Sequence, residues 1–206
     1  MAGASPPVAF ATTPLQIHTV GPGERFGRVY LGHHPEPLGF GKTPSRFSDP
    51  RRRIAANRFG VLYLGESLMV CFLEAVLRDQ RDGVVGRFAM AESELHDRLF
   101  ADIEVVDTLR LVDLRDERAI RMGVPTDAHR ASRQTLARLW SVAFHEHPDI
   151  PDGIIYPSRL NGQTNLAIYD RAIPKLKVHR LRKLIAAPDL EQVLDDLKIE
   201  LITPDP

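Results

Sequence analysis

A glutamate inside an otherwise apolar helix is the residue of this sequence whose position most needs a chemical explanation. Glu74 lies in residues 67–77, a segment that is apolar on nearly all sides of a helix, as buried helices are. Its neighbours three and four positions away include Val70, Cys71 and Leu77. An unpaired buried carboxylate costs several kcal/mol. The carboxylate of Glu74 is therefore expected either to lie at the floor of a polar pocket or to destabilise the helix strongly.

Four more polar residues lie in or beside predicted strands and could be hydrogen-bonding or ionic partners of this carboxylate: Arg28, Arg46, Tyr63 and Ser158. Arginine binds phosphate well because its planar guanidinium holds two oxygens at once, and tyrosine offers a flat face to an aromatic ring. A carboxylate in a partly apolar pocket holds a sugar hydroxyl or stabilises the positive charge that develops on a ribose ring during glycosidic cleavage. The set therefore suits a phosphorylated nucleoside whose glycosidic bond is broken. A buried arginine–glutamate pair with a purely structural role would give the same pattern, and spacing alone does not separate the two interpretations.

Other kinds of active site find little support in the sequence. Eight histidines are present, but they form no HExxH motif, and the single cysteine, Cys71, has no partner for a metal site or an internal disulfide. Ser158 is not part of a GxSxG motif, so a serine hydrolase is not indicated. Neither GxGxxG nor a Walker-type loop occurs, which leaves no sign of a Rossmann or P-loop nucleotide site. No metal site is predicted.

The equal numbers of basic and acidic residues argue against some classes of binding partner. Lys plus Arg number 27 and Asp plus Glu number 27, so the chain lacks the basic excess that is typical of direct nucleic-acid or membrane-surface binding. No apolar run reaches membrane-spanning length, and the N-terminus does not resemble a secretory signal. We therefore expect a cytoplasmic protein without direct nucleic-acid or membrane binding. A homo-oligomer is compatible with the sequence.

Strand patterns outnumber helix patterns, which predicts an α+β fold with a mainly antiparallel sheet or sandwich. Two longer helices, over residues 67–77 and 126–147, are expected to pack on this sheet. Strands are predicted over residues 25–31 and 60–65, with a long loop rich in Pro and Gly between them. Shorter elements include a strand over residues 84–90 and a helix over residues 93–100. Residues 1–24 are rich in Pro and Gly and are interpreted as an N-terminal arm, followed by a single domain over residues 25–206.

Several segments resemble the RES domain family, which is named for an arginine, a glutamate and a serine. The similar segments span residues 25–169, most of the chain, and read in order RFGRVYL, SRFSDP, GVLYLGES, CFLEAVL and DGIIYPSRLNGQTNLAIYD. In this resemblance the three residues of the family's name are Arg46, Glu74 and Ser158. An upstream arginine of the family is similar to Arg28, and a strand tyrosine is similar to Tyr63. Residues 1–24 and the basic stretch 51–53 lie outside the matched pattern.

The resemblance implies a fold related to the ADP-ribosyltransferases and implies NAD+ as the substrate. It also implies that Arg46, Glu74 and Ser158 are catalytic and that Arg28, Arg46 and Tyr63 bind NAD+. Family members are typically toxins of bacterial toxin–antitoxin pairs. The expected function is cleavage of the nicotinamide–ribose bond by hydrolysis or phosphorolysis, which depletes NAD+ and inhibits growth unless an antitoxin neutralises the enzyme. The expected partner is an antitoxin with an Xre-like helix-turn-helix region, whose C-terminal part covers the active site. Alternatives are ADP-ribosylation of a host protein and a non-catalytic nucleotide- or phosphate-binding module.

Overall fold

A large, mostly antiparallel sheet forms the centre of the computed structural model, which describes residues 4–51 and 54–203. The strands in this part of the chain are β1 (Ile17–Val20), β2 (Arg25–Leu31), β3 (Val61–Gly65), β4 (Phe88–Ala91), β5 (Arg98–Val105), β6 (Leu109–Asp113), β7 (Gly153–Pro157), β8 (Thr164–Tyr169), β9 (Leu176–Lys183) and β10 (Ile199–Ile202). The sheet has the order β1-β6-β7-β8-β3-β2-β5-β9, with β6 and β7 parallel and its other neighbours antiparallel. β4 and β10 form a separate parallel pair. The predicted α+β fold with a mainly antiparallel sheet is confirmed.

The helices are short. They are α1 (Leu68–Phe72), α2 (Ser93–His96), α3 (Arg118–Arg121), α4 (Asp127–Arg130), α5 (Thr135–His145) and α6 (Leu190–Asp196). A π-helical turn, Leu73–Leu77, continues α1 directly. Ser67 caps α1, because its hydroxyl accepts a hydrogen bond from the backbone N–H of Val70 at 3.3 Å. Within residues 4–51 and 54–203, no helix is long and apolar enough to cross a membrane.

Three elements differ from the sequence prediction. The helix predicted over residues 126–147 is broken into α4 and α5, because Ala131 after α4 has an extended backbone with ψ of 149°. The helix predicted over residues 93–100 is only α2, and β5 begins within its second half. The strand predicted over residues 84–90 begins later, as β4, because Gly86 turns the chain with φ of +86°.

The N-terminal segment packs on the sheet and on α5. β1 forms an edge of the sheet beside β6. Phe10 is buried, and its ring meets that of Trp140 edge to face with the centroids 4.9 Å apart. Trp140 Nε1 donates a hydrogen bond to the carbonyl oxygen of Ala4 at 3.0 Å. From residue 4 onward, the segment interpreted as an arm therefore contributes to the core and to the sheet.

The sheet opens between β2 and β3. These two strands are paired at one position, Gly27 with Gly65. Further along β3, Val61 forms an isolated bridge with Gly41, which belongs to the loop between the two strands. Because the loop takes the place of β2 beside β3, a gap forms between the strands, and a cleft lies along it.

The basic stretch of residues 51–53 is described only at Arg51, and Arg52 and Arg53 lie outside the described residues. Arg51 holds the Asp49 carboxylate with two hydrogen bonds, Nε to Oδ1 at 2.8 Å and NH2 to Oδ2 at 2.7 Å. It also pairs with Glu146 at the end of α5. Arg51 therefore links the loop before β3 to α5.

Candidate active site

A row of paired residues across four strands forms one wall of the cleft. The Cα partners run from Tyr156 in β7 to Asn165 in β8, then to Gly65 in β3 and to Gly27 in β2. Residues in register on neighbouring strands project to the same face of a sheet. Two polar side chains therefore stand beside two positions that carry no side chain.

The two glycines let α1 lie directly on the sheet. A Cβ at Gly65 would come within 2.5 Å of Val70 Cγ1 and 2.8 Å of the Cys71 sulfur, and a Cβ at Gly27 within 3.0 Å of the same sulfur. Cys71 is buried in this contact, and burial raises the pKa of its thiol to about 12. The thiol is therefore protonated at neutral pH and serves as a packing group.

The π-helical turn after α1 carries Glu74. Such turns are rare and occur often at functional sites. The turn ends at Arg78, whose φ is +44°, and Arg78 Nε donates a hydrogen bond to the carbonyl oxygen of Glu74 at 2.8 Å. The backbone of Glu74 is thus held by a side chain at the end of its own turn.

The carboxylate of Glu74 is oriented by two neutral donors. Its Oε1 accepts hydrogen bonds from Ser158 Oγ at 2.8 Å and from Asn165 Nδ2 at 3.0 Å. Its Oε2 accepts none from the described part of the chain, and no ion pair there joins Glu74 to an arginine. Glu74 is half-buried and lines the cleft. The structural alternative, a self-neutralising arginine–glutamate pair, is therefore not what this carboxylate forms.

Ser158 lies behind the carboxylate and outside the cleft lining. Its side chain is buried, and its hydroxyl donates to Glu74 while accepting from the backbone N–H of Leu160 at 3.1 Å. The single proton of the hydroxyl is thus used within the protein, and so is one of its lone pairs. This geometry favours a role in orienting Glu74 over a contact with substrate.

Tyr63 holds the loop that carries Arg46. The Tyr63 hydroxyl bonds with Ser45 Oγ at 3.0 Å and accepts from the backbone N–H of Phe47 at 2.8 Å. Burial raises the pKa of this hydroxyl, so it stays neutral. Arg46 donates from NH1 to the carbonyl oxygen of Ala131 at 2.8 Å, in the break between α4 and α5.

Arg28 reaches the cleft from β2, beside the gap in the sheet. Its NH1 donates to the carbonyl oxygen of Pro37, and its guanidinium lies 5.1 Å from the centroid of the Tyr30 ring. Burial lowers the pKa of Arg28 from its usual value, although a guanidinium remains charged at neutral pH. Within residues 4–51 and 54–203, neither Arg28 nor Arg46 forms an ion pair with a carboxylate.

These residues line one cleft of about 640 Å³, a volume typical of small-molecule sites. Arg28, Arg46, Tyr63 and Glu74 all line it, so the structure brings four of the five predicted site residues to one cavity and places Ser158 directly behind it. More exposed residues add a further pair to the lining, with Arg159 NH2 2.6 Å from Asp79 Oδ1.

Comparison with known proteins identifies the family. The model of the RES domain family matches residues 25–195. This chain belongs to the RES domain family. A curated relative, "Probable toxin y4kH" of Sinorhizobium fredii, is 42% identical over 127 residues, which are 61% of this chain and 100% of that protein. A chain from the crystal structure of the M. tuberculosis MbcT–MbcA toxin–antitoxin complex is 20% identical, with a TM-score of 0.62 over 87% of this chain and 91% of that chain. At this identity the structural likeness shows the fold alone.

The RES match contains all five predicted residues, but the sequence prediction does not include Asn165 and Tyr156. Asn165 has a signal that points to it, because a buried asparagine in the apolar run NLAIY needs a hydrogen-bond partner. Tyr156 has no such signal, since a tyrosine in a buried strand is ordinary. Its place beside Asn165 depends on how β7 and β8 pair.

Among the residues that the structure describes, no group of three or more His, Cys, Asp and Glu side chains is arranged to hold a metal ion.

Proposed function

We propose that this RES protein is a toxin-type enzyme that cleaves the nicotinamide–ribose bond of NAD+. One observation carries the proposal. A carboxylate oriented by Ser158 and Asn165, with one oxygen free of hydrogen bonds from the described part of the chain, lines the same cleft as two arginines that are not paired with carboxylates there. A substrate with both a ribose and phosphates matches these groups.

Arg28 and Arg46 are proposed to bind the phosphate end of the substrate. The pyrophosphate of NAD+ is anionic, and a guanidinium not neutralised by a carboxylate is available to bind it through paired N–H groups. Arg28 and Arg46 reach the cleft from β2 and from the loop before β3, respectively. In the proposed complex they hold the phosphates from two sides. The ring of Tyr63 offers its face to the nicotinamide, since its hydroxyl is engaged by the protein.

Glu74 acts on the ribose. Breaking the bond between ribose C1′ and the nicotinamide nitrogen sends the electron pair to nicotinamide, which leaves neutral, and places positive charge on the ribose ring. The Glu74 carboxylate stabilises that charge and accepts a hydrogen bond from a ribose hydroxyl. Water then adds to C1′ and loses a proton, which gives ADP-ribose. Phosphate in place of water gives the 1-phosphate of ADP-ribose, and a protein side chain gives an ADP-ribosylated protein.

An antitoxin is the proposed partner. Support comes from the relative in Sinorhizobium fredii, which is named a probable toxin, and from the structural neighbour, which belongs to a toxin–antitoxin complex. We propose that an antitoxin with an Xre-like helix-turn-helix region covers the cleft and that the free toxin acts in the cytoplasm, where it depletes NAD+.

Release of free nicotinamide from NAD+ by the purified protein tests the proposal. We expect Glu74→Gln to lower kcat by about a hundredfold or more, because one preorganised electrostatic group at a charged transition state contributes that much. Glu191→Gln, an exposed glutamate on α6, is the matched control and should keep full activity. Absence of nicotinamide release by the wild type, or equal release by Glu74→Gln, would contradict the proposal.

The acceptor is identified in the same assay. Reactions with and without inorganic phosphate separate phosphorolysis from hydrolysis by the product formed. Labelled NAD+ that becomes attached to protein would indicate ADP-ribosyl transfer. Binding of NAD+ without any cleavage would favour the non-catalytic binding module over an enzyme.

A further inference from the structure

The hydroxyl of Tyr156 is a polar group of a buried residue that lines the cleft, and it has no partner in the described part of the chain. Tyr156 is 5% exposed and lines the cleft from β7. Its ring packs edge to face on Phe47 with the centroids 4.9 Å apart, which fixes the direction of the side chain. Because it pairs in register with Asn165, it projects to the same side of the sheet as the residue that holds Glu74.

Two other tyrosines of the protein, the partly buried Tyr63 and the buried Tyr169, show what is missing at Tyr156. The hydroxyl of Tyr63 has two partners, and that of Tyr169 donates to the Ser141 carbonyl oxygen at 3.1 Å. The Tyr156 hydroxyl makes no hydrogen bond with any residue in the described ranges 4–51 and 54–203. This hydroxyl is not among the polar atoms of the described residues that are both sealed from solvent and unpartnered, so it is accessible from the cleft that the residue lines. A ligand in the cleft would supply the partner.

A second unpartnered hydroxyl among the described residues, that of Tyr30, also belongs to the cleft lining. It lies on β2 with the Arg28 guanidinium over its ring, on the far side of the gap in the sheet. Tyr156 differs because its neighbours include Glu74 itself. Burial, followed by the neighbouring Tyr63 and Glu74, raises the pKa of Tyr156 well above its usual value. The Tyr156 hydroxyl therefore keeps its proton and is a hydrogen-bond donor at neutral pH.

We propose that Tyr156 is a further substrate-binding residue, whose hydroxyl donates a hydrogen bond to the ribose hydroxyl that Glu74 holds. The donors and acceptors match. A ribose hydroxyl that donates a hydrogen bond to Glu74 Oε2 still has lone pairs that can accept. The Tyr156 hydroxyl donates a hydrogen bond to one of these lone pairs. Tyr156 thereby orients the ribose over the carboxylate and selects for a ribose that carries this hydroxyl. The inference rests on the proposed function, because it takes the nicotinamide ribose as the ligand.

Tyr156→Phe tests the inference, because it removes the hydroxyl and keeps the ring against Phe47. We expect kcat/KM for NAD+ to fall about tenfold, the size of one hydrogen bond to an uncharged group. The melting temperature without ligand should stay the same or rise, since no protein hydrogen bond is lost. Tyr169→Phe is the matched control: it is buried, lies outside the cleft lining and has a bonded hydroxyl, so it should lower the melting temperature and keep kcat/KM.

Analogues of NAD+ that lack either the 2′ or the 3′ hydroxyl of the nicotinamide ribose identify the contact. For one analogue, wild type and Tyr156→Phe should give the same kcat/KM, because the bonded hydroxyl is absent from both complexes. Unchanged kcat/KM for NAD+ in Tyr156→Phe, or a loss of melting temperature equal to that of Tyr169→Phe, would overturn the inference alone. Failure of the wild type to cleave NAD+ would overturn the proposed function and the inference with it.

Discussion

Glu74 illustrates how a charge is accommodated in an apolar element. Its carboxylate is held by a serine and an asparagine, which orient it without neutralising it. An arginine in the same place would stabilise the negative charge but would weaken the attraction between that charge and a developing positive charge on the substrate. Because its donors are neutral, the negative charge of Glu74 is not neutralised by them and can interact with the ligand.

Removing either donor should loosen the carboxylate. A hydrogen bond to a charged group contributes about 1.5–3 kcal/mol, so Ser158→Ala and Asn165→Ala should each lower kcat about ten- to a hundredfold. Nicotinamide release measures the effect, and circular dichroism checks the fold. Asn161→Ala, which removes an exposed amide bonded to Gln163, should leave kcat unchanged. Full activity in both Ser158→Ala and Asn165→Ala would show that Glu74 does not depend on these donors.

Sequence alone reaches Glu74 because a charge among apolar residues stands out at helical spacing. Of the two residues that orient the Glu74 carboxylate, the sequence predicts Ser158 but not Asn165. Ser158 enters as a polar residue beside a predicted strand and again through the family resemblance, whereas Asn165 and Tyr156 become neighbours only through the pairing of β7 with β8. That register is set by the turn between the strands and by the packing of both sheet faces, which no local pattern specifies.

At the scale of elements, the site depends on how closely α1 approaches the sheet. Gly65→Ala would place a Cβ 2.5 Å from Val70 Cγ1, so α1 and the Glu74 turn must shift. Inserting a methyl group into a packed core typically costs about 1–3 kcal/mol, and we expect that loss in the free energy of unfolding together with a lower kcat. Urea denaturation and nicotinamide release measure the two effects.

Gly21→Ala is the control for this prediction. Among the described residues, a Cβ there would meet only the Glu24 carboxylate, at 3.7 Å, which is an ordinary contact. Both stability and activity should therefore remain close to those of the wild type. If Gly65→Ala behaved like Gly21→Ala, close packing of α1 on β3 would not be what positions Glu74.

The break between α4 and α5 is the element that the sequence pattern misses. Apolar residues at helical spacing predict one helix over residues 126–147, and they are Leu136, Leu139, Trp140, Ala143 and Phe144. The break exposes the carbonyl oxygen of Ala131, which accepts a hydrogen bond from Arg46, a residue 85 positions earlier in the chain. A contact of this separation lies beyond local periodicity. The sequence therefore predicts the buried Trp140 and Phe144 of α5, but it does not predict the start of the helix or the exposure of Leu139.

At the scale of the molecule, the cleft exists because the sheet is not continuously paired. β2 and β3 are joined at Gly27 and Gly65, and the chain between the two strands supplies both the Gly41 bridge and the Arg46 loop. The loop between β2 and β3 thus both leaves the gap between the strands and places the Arg46 guanidinium at the cleft. The sequence predicts the two strands and the long loop between them, but the single point of pairing follows from tertiary packing.

Acid should weaken the whole molecule through a buried histidine next to this loop. His129 on α4 is buried, and burial first, followed by the charges of Arg130 and Arg46, lowers its pKa from 6.5 to about 4. Since the pKa in the folded state lies below that in the unfolded state, the unfolded chain takes up a proton first as pH falls. The stability that neutral His129 contributes is present above pH 6.5 and is lost between pH 6.5 and 4.

We therefore expect the free energy of unfolding to fall on going from pH 7 to pH 5, with up to about 2 kcal/mol of the loss due to His129. Urea denaturation at the two pH values measures the loss. His129→Phe should lose less, because the buried group no longer titrates, whereas His33→Gln, at an exposed position, should lose as much as the wild type. Equal losses in His129→Phe and wild type would mean that His129 is not the group that couples folding to pH. A smaller loss in His129→Phe would mean instead that protonation of the buried imidazole on α4, close to the Arg46 loop, is what couples folding to pH.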